Sequence, residues 1–151
     1  MDQPRHTYIG ELMIRDLEII KTDLARIPEN LLWQTLPGIT NSFGNLVLHI
    51  CGNLNHFVGH QIGRTGYFRD RDAEFSSTNI SSEQLFSEID STSHMLMQVL
   101  APGRQISANT SVKILDTEYS VEEALIYLTN HLAYHVGQAN YISRILEKKE
   151  R

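Results

Sequence analysis

The sequence predicts an all-α fold, a four-helix bundle, on three observations. Apolar residues recur at helical spacing in four segments, serine-led capping boxes open two of them, and prolines follow two of them. Helices of roughly 20 to 28 residues span about 30 to 40 Å at 1.5 Å per residue, the proportions of a bundle.

The first helix runs from about Arg5 to Ile27, with Tyr8, Leu12, Ile19 and Leu24 on its face and Leu17 and Ile20 beside them; Pro28 stops it. In "PENLLWQTLPG", Pro37 and Gly38 mark a turn, after which Thr40 or Asn41 is placed to cap a second helix reaching about Ile62. Leu46, His49, Ile50, Asn53, Phe57 and His60 share its face. The polar stretch "GRTGYFRDRDAEFSSTNIS" reads as a loop. Ser81 and Gln84 have capping-box spacing for a third helix, which faces Leu85, Ile89, Leu96 and Leu100 inward before Pro102 and Gly103 end it. Within the next connection, "SVKIL" reads as a short extended piece. Ser120 and Glu123 form a second capping box. The helix they open has the clearest period: Val121, Leu125, Leu128, Leu132, His135, Ala139, Ile142 and Leu146 step alternately by four and three, the seam of a packed helix. The two later connections are long enough to run the length of the bundle, so crossover topology is open alongside simple up-and-down order.

A chain of 151 residues, 41% hydrophobic and 21% charged, supports one domain over residues 1–151 with a real core. Its net charge of -5, with Lys and Arg scattered except in the tail "EKKER", offers no patch to neutralise a phosphate backbone, so no nucleic-acid partner is expected. The start lacks the basic segment and apolar core of a signal peptide, and no 18 apolar residues run together. A cytoplasmic protein without a membrane partner is the expectation. The single cysteine, Cys51, rules out an internal disulfide and reads as a packed small hydrophobe instead of a nucleophile.

Histidine spacing carries the chemistry. Seven histidines would give roughly 0.3 pairs at separation four by chance, and this chain has two, His131/His135 and His56/His60. Imidazoles one helical turn apart point the same way and can take two corners of a tetrahedron around a divalent cation. Helix two offers His49, His56 and His60 at nearly one azimuth; His49, in "NLVLHICGNL" between Leu46 and Ile50, sits deepest and is the expected third ligand. Taken singly, each histidine is as readily a hydrogen-bonded core residue. Three desolvated imidazoles facing one another repel if protonated, whereas one ion satisfies all three lone pairs. Asn53, one turn beyond His49, and Gln138, three beyond His135, are candidates to contact or orient this group, or plain packing residues. Gly137 in mid-helix points to close helix approach, and Trp33, Tyr127, Tyr134 and Tyr141 to core or interface positions. His6 and His94 read as surface residues. No pair of carboxylates stands out as a general acid and base, so no catalytic residue is assigned.

The helix-two histidine in "NLVLHICGNL" and the later "NHLAYHVGQANYI", with its H-x-x-x-H-x-G-Q run at His131, His135, Gly137 and Gln138, resemble the DinB superfamily of four-helix-bundle proteins, which includes the bacillithiol S-transferases. The resemblance spans nearly the whole chain. It implies an up-down-down-up bundle with long crossover connections, a divalent metal (Zn, Ni or Fe) on His49, His131 and His135, and a cytoplasmic homodimer acting on a small-molecule substrate. His56 and His60 lie outside that pattern and leave a second or shifted site open. Three neutral nitrogens leave a divalent ion's charge uncompensated and a position open, as in catalytic sites. Transfer of a small thiol cofactor such as bacillithiol to an electrophile, or hydrolysis of a small substrate, is the expected chemistry. The different class of answer is a non-catalytic metal-binding or stress-related dimerisation bundle, and haem between His49 and a last-helix histidine is a less economical third.

Overall fold

A computed structural model describes residues 4–149; the end of the basic tail "EKKER" lies outside them. The described chain is mostly helical, with five α-helices and one small hairpin: α1 (Arg5–Leu24), α2 (Phe43–Leu54), α3 (Arg71–Ser76), α4 (Ser82–Val99), β1 (Ser111–Ile114), β2 (Thr117–Ser120) and α5 (Val121–Lys149). A single 3-10 turn at Glu29–Leu31 precedes α2, and α2 continues without a break as a π-helical stretch, Asn55–Ile62. No helix among the described residues is long and apolar enough to cross a membrane.

Local chemistry sets the helix starts. Ser120 accepts from the Glu123 backbone N–H while the Glu123 carboxylate accepts from Ser120 N–H at 2.9 Å, closing the expected box at α5. Ser81 and Gln84 do the same for α4. At α2 the cap is Ser42, not Thr40 or Asn41, because Asn45 supplies the return half of the box. Asn45 also donates to the carbonyls of Glu74 and Ser77 at 3.1 Å each, tying the start of α2 to the C-terminal half of α3 and its C-cap.

The apolar faces assemble into one buried cluster. On α4 it takes Leu85, Ile89, Leu96 and Leu100, and on α5 Leu125, Leu128, Leu132, Ala139, Ile142 and Leu146, as the periods predict. On α1 the buried stripe is instead Met13, Leu17, Ile20 and Leu24, while Tyr8 and Ile19 are exposed. The sequence there carries two overlapping apolar stripes. The one that wins brings Asp16 and Asp23 inward, where Arg15 bonds Asp16 at 2.8 Å and Asn140 of α5 donates to Asp23 at 3.0 and 3.1 Å.

Each of the four long helices packs against two others: α1 against α4 and α5, α2 against α4 and α5. Side-chain pairs mark how they meet. Asn55 donates to Thr92 at 2.8 Å, and a Cβ at Gly59 or Gly63 would lie against Met95 or Val99 respectively, so α4 and the π-helical stretch rise together. Arg5 meets Glu122 and Asp23 meets Asn140 at the two ends of the α1–α5 contact, whereas Gly10 lies against Leu100 and Lys21 reaches Asp90.

Two elements depart from the expected layout. Within the stretch read as loop, Asp70 caps the Ala73 N–H at 3.0 Å and starts α3; six residues are too short to show a helical period. The extended piece "SVKIL" is β1, and it gains an antiparallel partner, β2, in register Val112 to Tyr119. Gln61 of the π-helical stretch pins the outer edge of β1, its amide bonding Lys113 N–H at 2.8 Å and Lys113 C=O at 3.1 Å.

Because Asn45 serves one buried and one part-buried carbonyl and the cap at once, Asn45→Ala is expected to destabilise the fold by about 1–3 kcal/mol. A urea-denaturation midpoint is the measurement, and an unchanged midpoint would mean α3 is held by other contacts.

Candidate metal centre

The α2 and α5 faces meet with His49, His131 and His135 opposed. Ring centroids of His49 lie 5.3 Å from His131 and 4.8 Å from His135, with the rings edge-on. One nitrogen from each ring lies within 4.8 Å of the other two. His131 Nε2 and His135 Nε2 are 3.2 Å apart, close to the ~3.3 Å that two ~2.0–2.1 Å bonds subtend at a tetrahedral ion. Two such bonds span at most ~4.2 Å, so separations that reach 4.8 Å shorten by about half an ångström around a cation. The three sequence-selected histidines are thus brought together and can hold a metal ion.

The other ring nitrogens of His49 and His135 have partners. His49 Nδ1 lies 3.0 Å from Glu74 Oε1. Arg69 also approaches that nitrogen at 3.3 Å, but a guanidinium only donates, and it already makes two shorter bonds to Glu74, at 2.7 and 2.8 Å. The tautomer that satisfies all three groups places the proton on His49 Nδ1, donating to Glu74, and leaves Nε2 with a lone pair. His135 Nδ1 likewise lies 2.7 Å from Gln138 Oε1 and donates to it. A carboxylate or amide oxygen behind an imidazole is the usual means of fixing which nitrogen faces a metal.

Sequence reasoning missed Glu74 and Arg69, which belong to the segment read as loop. Glu74 is 5% exposed on α3, and no carboxylate spacing pointed to it. The one signal available was the capping motif at Asp70, which would have turned "DRDAEF" into a helix with Glu74 on its inner side. Space for the carboxylate comes from Gly52, one turn after His49: a Cβ there would fall 2.1 Å from Glu74 Oε2. Phe75 of the same short helix stacks near His49 at 4.9 Å.

Electrostatics favour the neutral forms of His131 and His135. Burial, His135, His49 and Arg69 together push His131 down to about 4. Burial and His49 lower His135, partly opposed by its bond to Gln138. Glu74 is raised by burial, but its bonds from Arg69 and His49 outweigh that and hold the carboxyl below its usual value, so it remains ionised. His49 is buried, whereas His131 and His135 are half-buried, leaving the cluster open along α5.

The remaining candidates sort differently. Asn53 is buried on the His49 face, but no hydrogen bond joins it to the histidines among the described residues. Cys51 is buried, and desolvation pushes its thiol up to about 12, which removes it as a nucleophile near neutrality. His56 and His60 stack on each other at 6.1 Å along the π-helical stretch and are not part of the three-histidine group, although His56 feels the charges of Arg69 and Glu74. Trp33 is half-buried over Gly44 and donates to Ile80 C=O at 3.1 Å. Tyr127, Tyr134 and Tyr141 are 40%, 65% and 73% exposed, so none is a core residue. Gly137 does not mark close helix approach: a Cβ there would meet nothing within 4 Å. His94 is exposed as expected, while His6 is half-buried with an unpartnered Nε2.

Fold and site together define a helical protein with a three-histidine cluster backed by a buried carboxylate. The profile of a family described as "Protein of unknown function (DUF1572)" matches residues 9–151, and the chain belongs to that family. No curated protein matches the chain.

Since the folded state binds protons to His131 and His135 more weakly than the unfolded chain does, stability is fully present above about pH 6.5 and drains as pH falls toward 4. Melting temperature of metal-free protein between pH 7.5 and 4.5 is expected to drop over that window, and His131→Leu to flatten the profile; equal slopes would disprove the assignment.

Proposed function

We propose that this protein is a divalent-metal-dependent enzyme of the DinB-like type that transfers a small thiol cofactor, such as bacillithiol, to an electrophilic small molecule. The observation that carries this is the meeting of three imidazole nitrogens within 4.8 Å, two of the rings already turned by oxygen acceptors so that Nε2 faces the common point. The lowered basicity of His131 and His135 leaves their nitrogens free for Zn, Ni or Fe, all of which accept nitrogen donors.

When bound, such an ion supplies a positive charge that stabilises a thiolate near neutral pH. The chain's own residues hold and aim it. His49, His131 and His135 donate ring nitrogens; Glu74 accepts the His49 Nδ1 proton and adds negative charge behind that ring; Gln138 accepts from His135. Arg69 locks Glu74 with two bonds, which keeps the carboxylate from turning toward the ion itself. The half-buried faces of His131 and His135 leave an approach for substrate, which favours turnover over a closed structural site. The same opening admits water, so hydrolysis of a small substrate is the second reading. A non-catalytic metal-binding or stress-related dimerisation bundle is the outcome if no turnover is found.

The up-down-down-up order of the long helices is part of this proposal. It is supported by the sense of the side-chain pairs: α1 with α5 and α2 with α4 step in the same direction, α1 with α4 in opposite directions. A cytoplasmic homodimer without nucleic-acid or membrane partners completes the proposal, on the resemblance and on the absence of any basic patch in a chain of net charge -5.

Protein purified without an affinity tag is expected to hold about one equivalent of metal by mass spectrometry of the elements, and His131→Ala to lose it. Unchanged metal content would mean the ligands are assigned wrongly. Gly52→Ala displaces the flexible end of Glu74 without touching a ligand, and should weaken metal affinity ~10–100-fold while the protein still folds. Assays pairing thiols with electrophiles, run beside ester and amide panels, separate transfer from hydrolysis.

A further inference from the structure

Gly137 lies within α5 with ordinary helical backbone, not in the left-handed region where glycine is favoured. A glycine there costs ~1 kcal/mol relative to alanine, and neither a turn nor a close neighbour accounts for it. What its missing side chain leaves is space. Gly137 and Gln138 form one wall of a cleft of about 550 Å³, with Ile39 and Leu46 opposite and Tyr141 and Ile145 along α5. That volume is typical of small-molecule sites, which run ~300–1,000 Å³. None of its described lining residues is charged, and Leu36, Ile39, Leu46, Ile142 and Ile145 make much of the wall apolar, so an ionic ligand would lose hydration with no counter-charge to offset it. By contrast the cavity beside α1 is walled by Arg5, His6 and Glu122.

Gln138 belongs to both places. It lines the cleft, and its Oε1 accepts the His135 Nδ1 proton at 2.7 Å. We infer that this cleft binds the neutral, apolar portion of the small-molecule substrate, an aromatic or branched aliphatic group, with the reacting end directed past Gln138 toward the three histidines. Its role as a substrate site rests on the function proposed above; its capacity to bind an apolar molecule does not.

The probe is N-phenyl-1-naphthylamine, a neutral aromatic amine whose fluorescence rises in apolar surroundings. Saturable binding to the wild-type protein is expected, weakened at least ~10-fold by Gly137→Leu, which fills the cleft while replacing glycine with a better helix former. Ile145→Asp, at a position 45% exposed, should do the same by placing a charge in the cleft without disturbing the core. Metal content should be unchanged in both. Absence of binding to wild type, or equal binding to all three proteins, overturns the cleft. Titrating EDTA-treated protein and His131→Ala separates this from the metal proposal: binding kept in both, with no metal found in the wild type, would sink the histidine centre alone. With Co(II) in the site, saturating probe should shift the visible absorption through Gln138 and His135; an unshifted spectrum overturns the substrate role. A wild-type dimer that Gly137→Leu converts to monomer in sedimentation would give the cleft to a second copy of the chain, and also overturns it.

Discussion

Glu74 can stand behind His49 only because residue 52 has no side chain. A Cβ at Gly52 would meet the carboxylate at 2.1 Å, and the carboxylate in turn is the acceptor that fixes the His49 proton on Nδ1. Around that contact the rest is arranged: Arg69 neutralises the buried charge with two bonds, Asn45 holds α3 against the start of α2, and Phe75 covers the His49 ring. An unpaired carboxylate at 5% exposure would be costly. The short helix, the glycine and the arginine are one device with three parts.

The two sides of the centre differ in rigidity. His49 is buried and held from behind by a charged network, whereas His131 and His135 are half-buried, meet each other at 3.2 Å, and have no charged group hydrogen-bonded to them among the described residues, His135 leaning on the Gln138 amide. A site clamped from one side and accessible from the other suits an ion that must accept a further ligand. The suppressed basicity of His131 and His135 adds to this, since protons compete poorly for their nitrogens at neutral pH. Gln138 then links the open face to the uncharged cleft beside it.

Much of this was legible from residue order. The capping boxes at Ser81 and Ser120 and the four-three seam of α5 are local patterns, and each is present where the spacing put it. His131 and His135 face one way because a four-residue step nearly closes a helical turn. His49 followed from its apolar flanks. The face of α1 did not follow, since Leu12 and Ile19 compete with Met13 and Ile20 for the core, and which stripe is buried depends on packing against α4 and α5, where Asp23 meets Asn140. Gly137 was read as a packing contact and instead borders empty space.

Sequence alone determined the four long helices, the caps at Ser81 and Ser120 and the three histidines, because those signals lie within a turn or two of chain. Tertiary structure decided which oxygens stand behind His49 and His135, where Arg69 binds, and that a cleft opens beside Gln138. Glu74 is 25 residues from His49, in a helix of six residues, so neither period nor spacing could connect them. Their meeting depends on how α2 and α3 fold against each other.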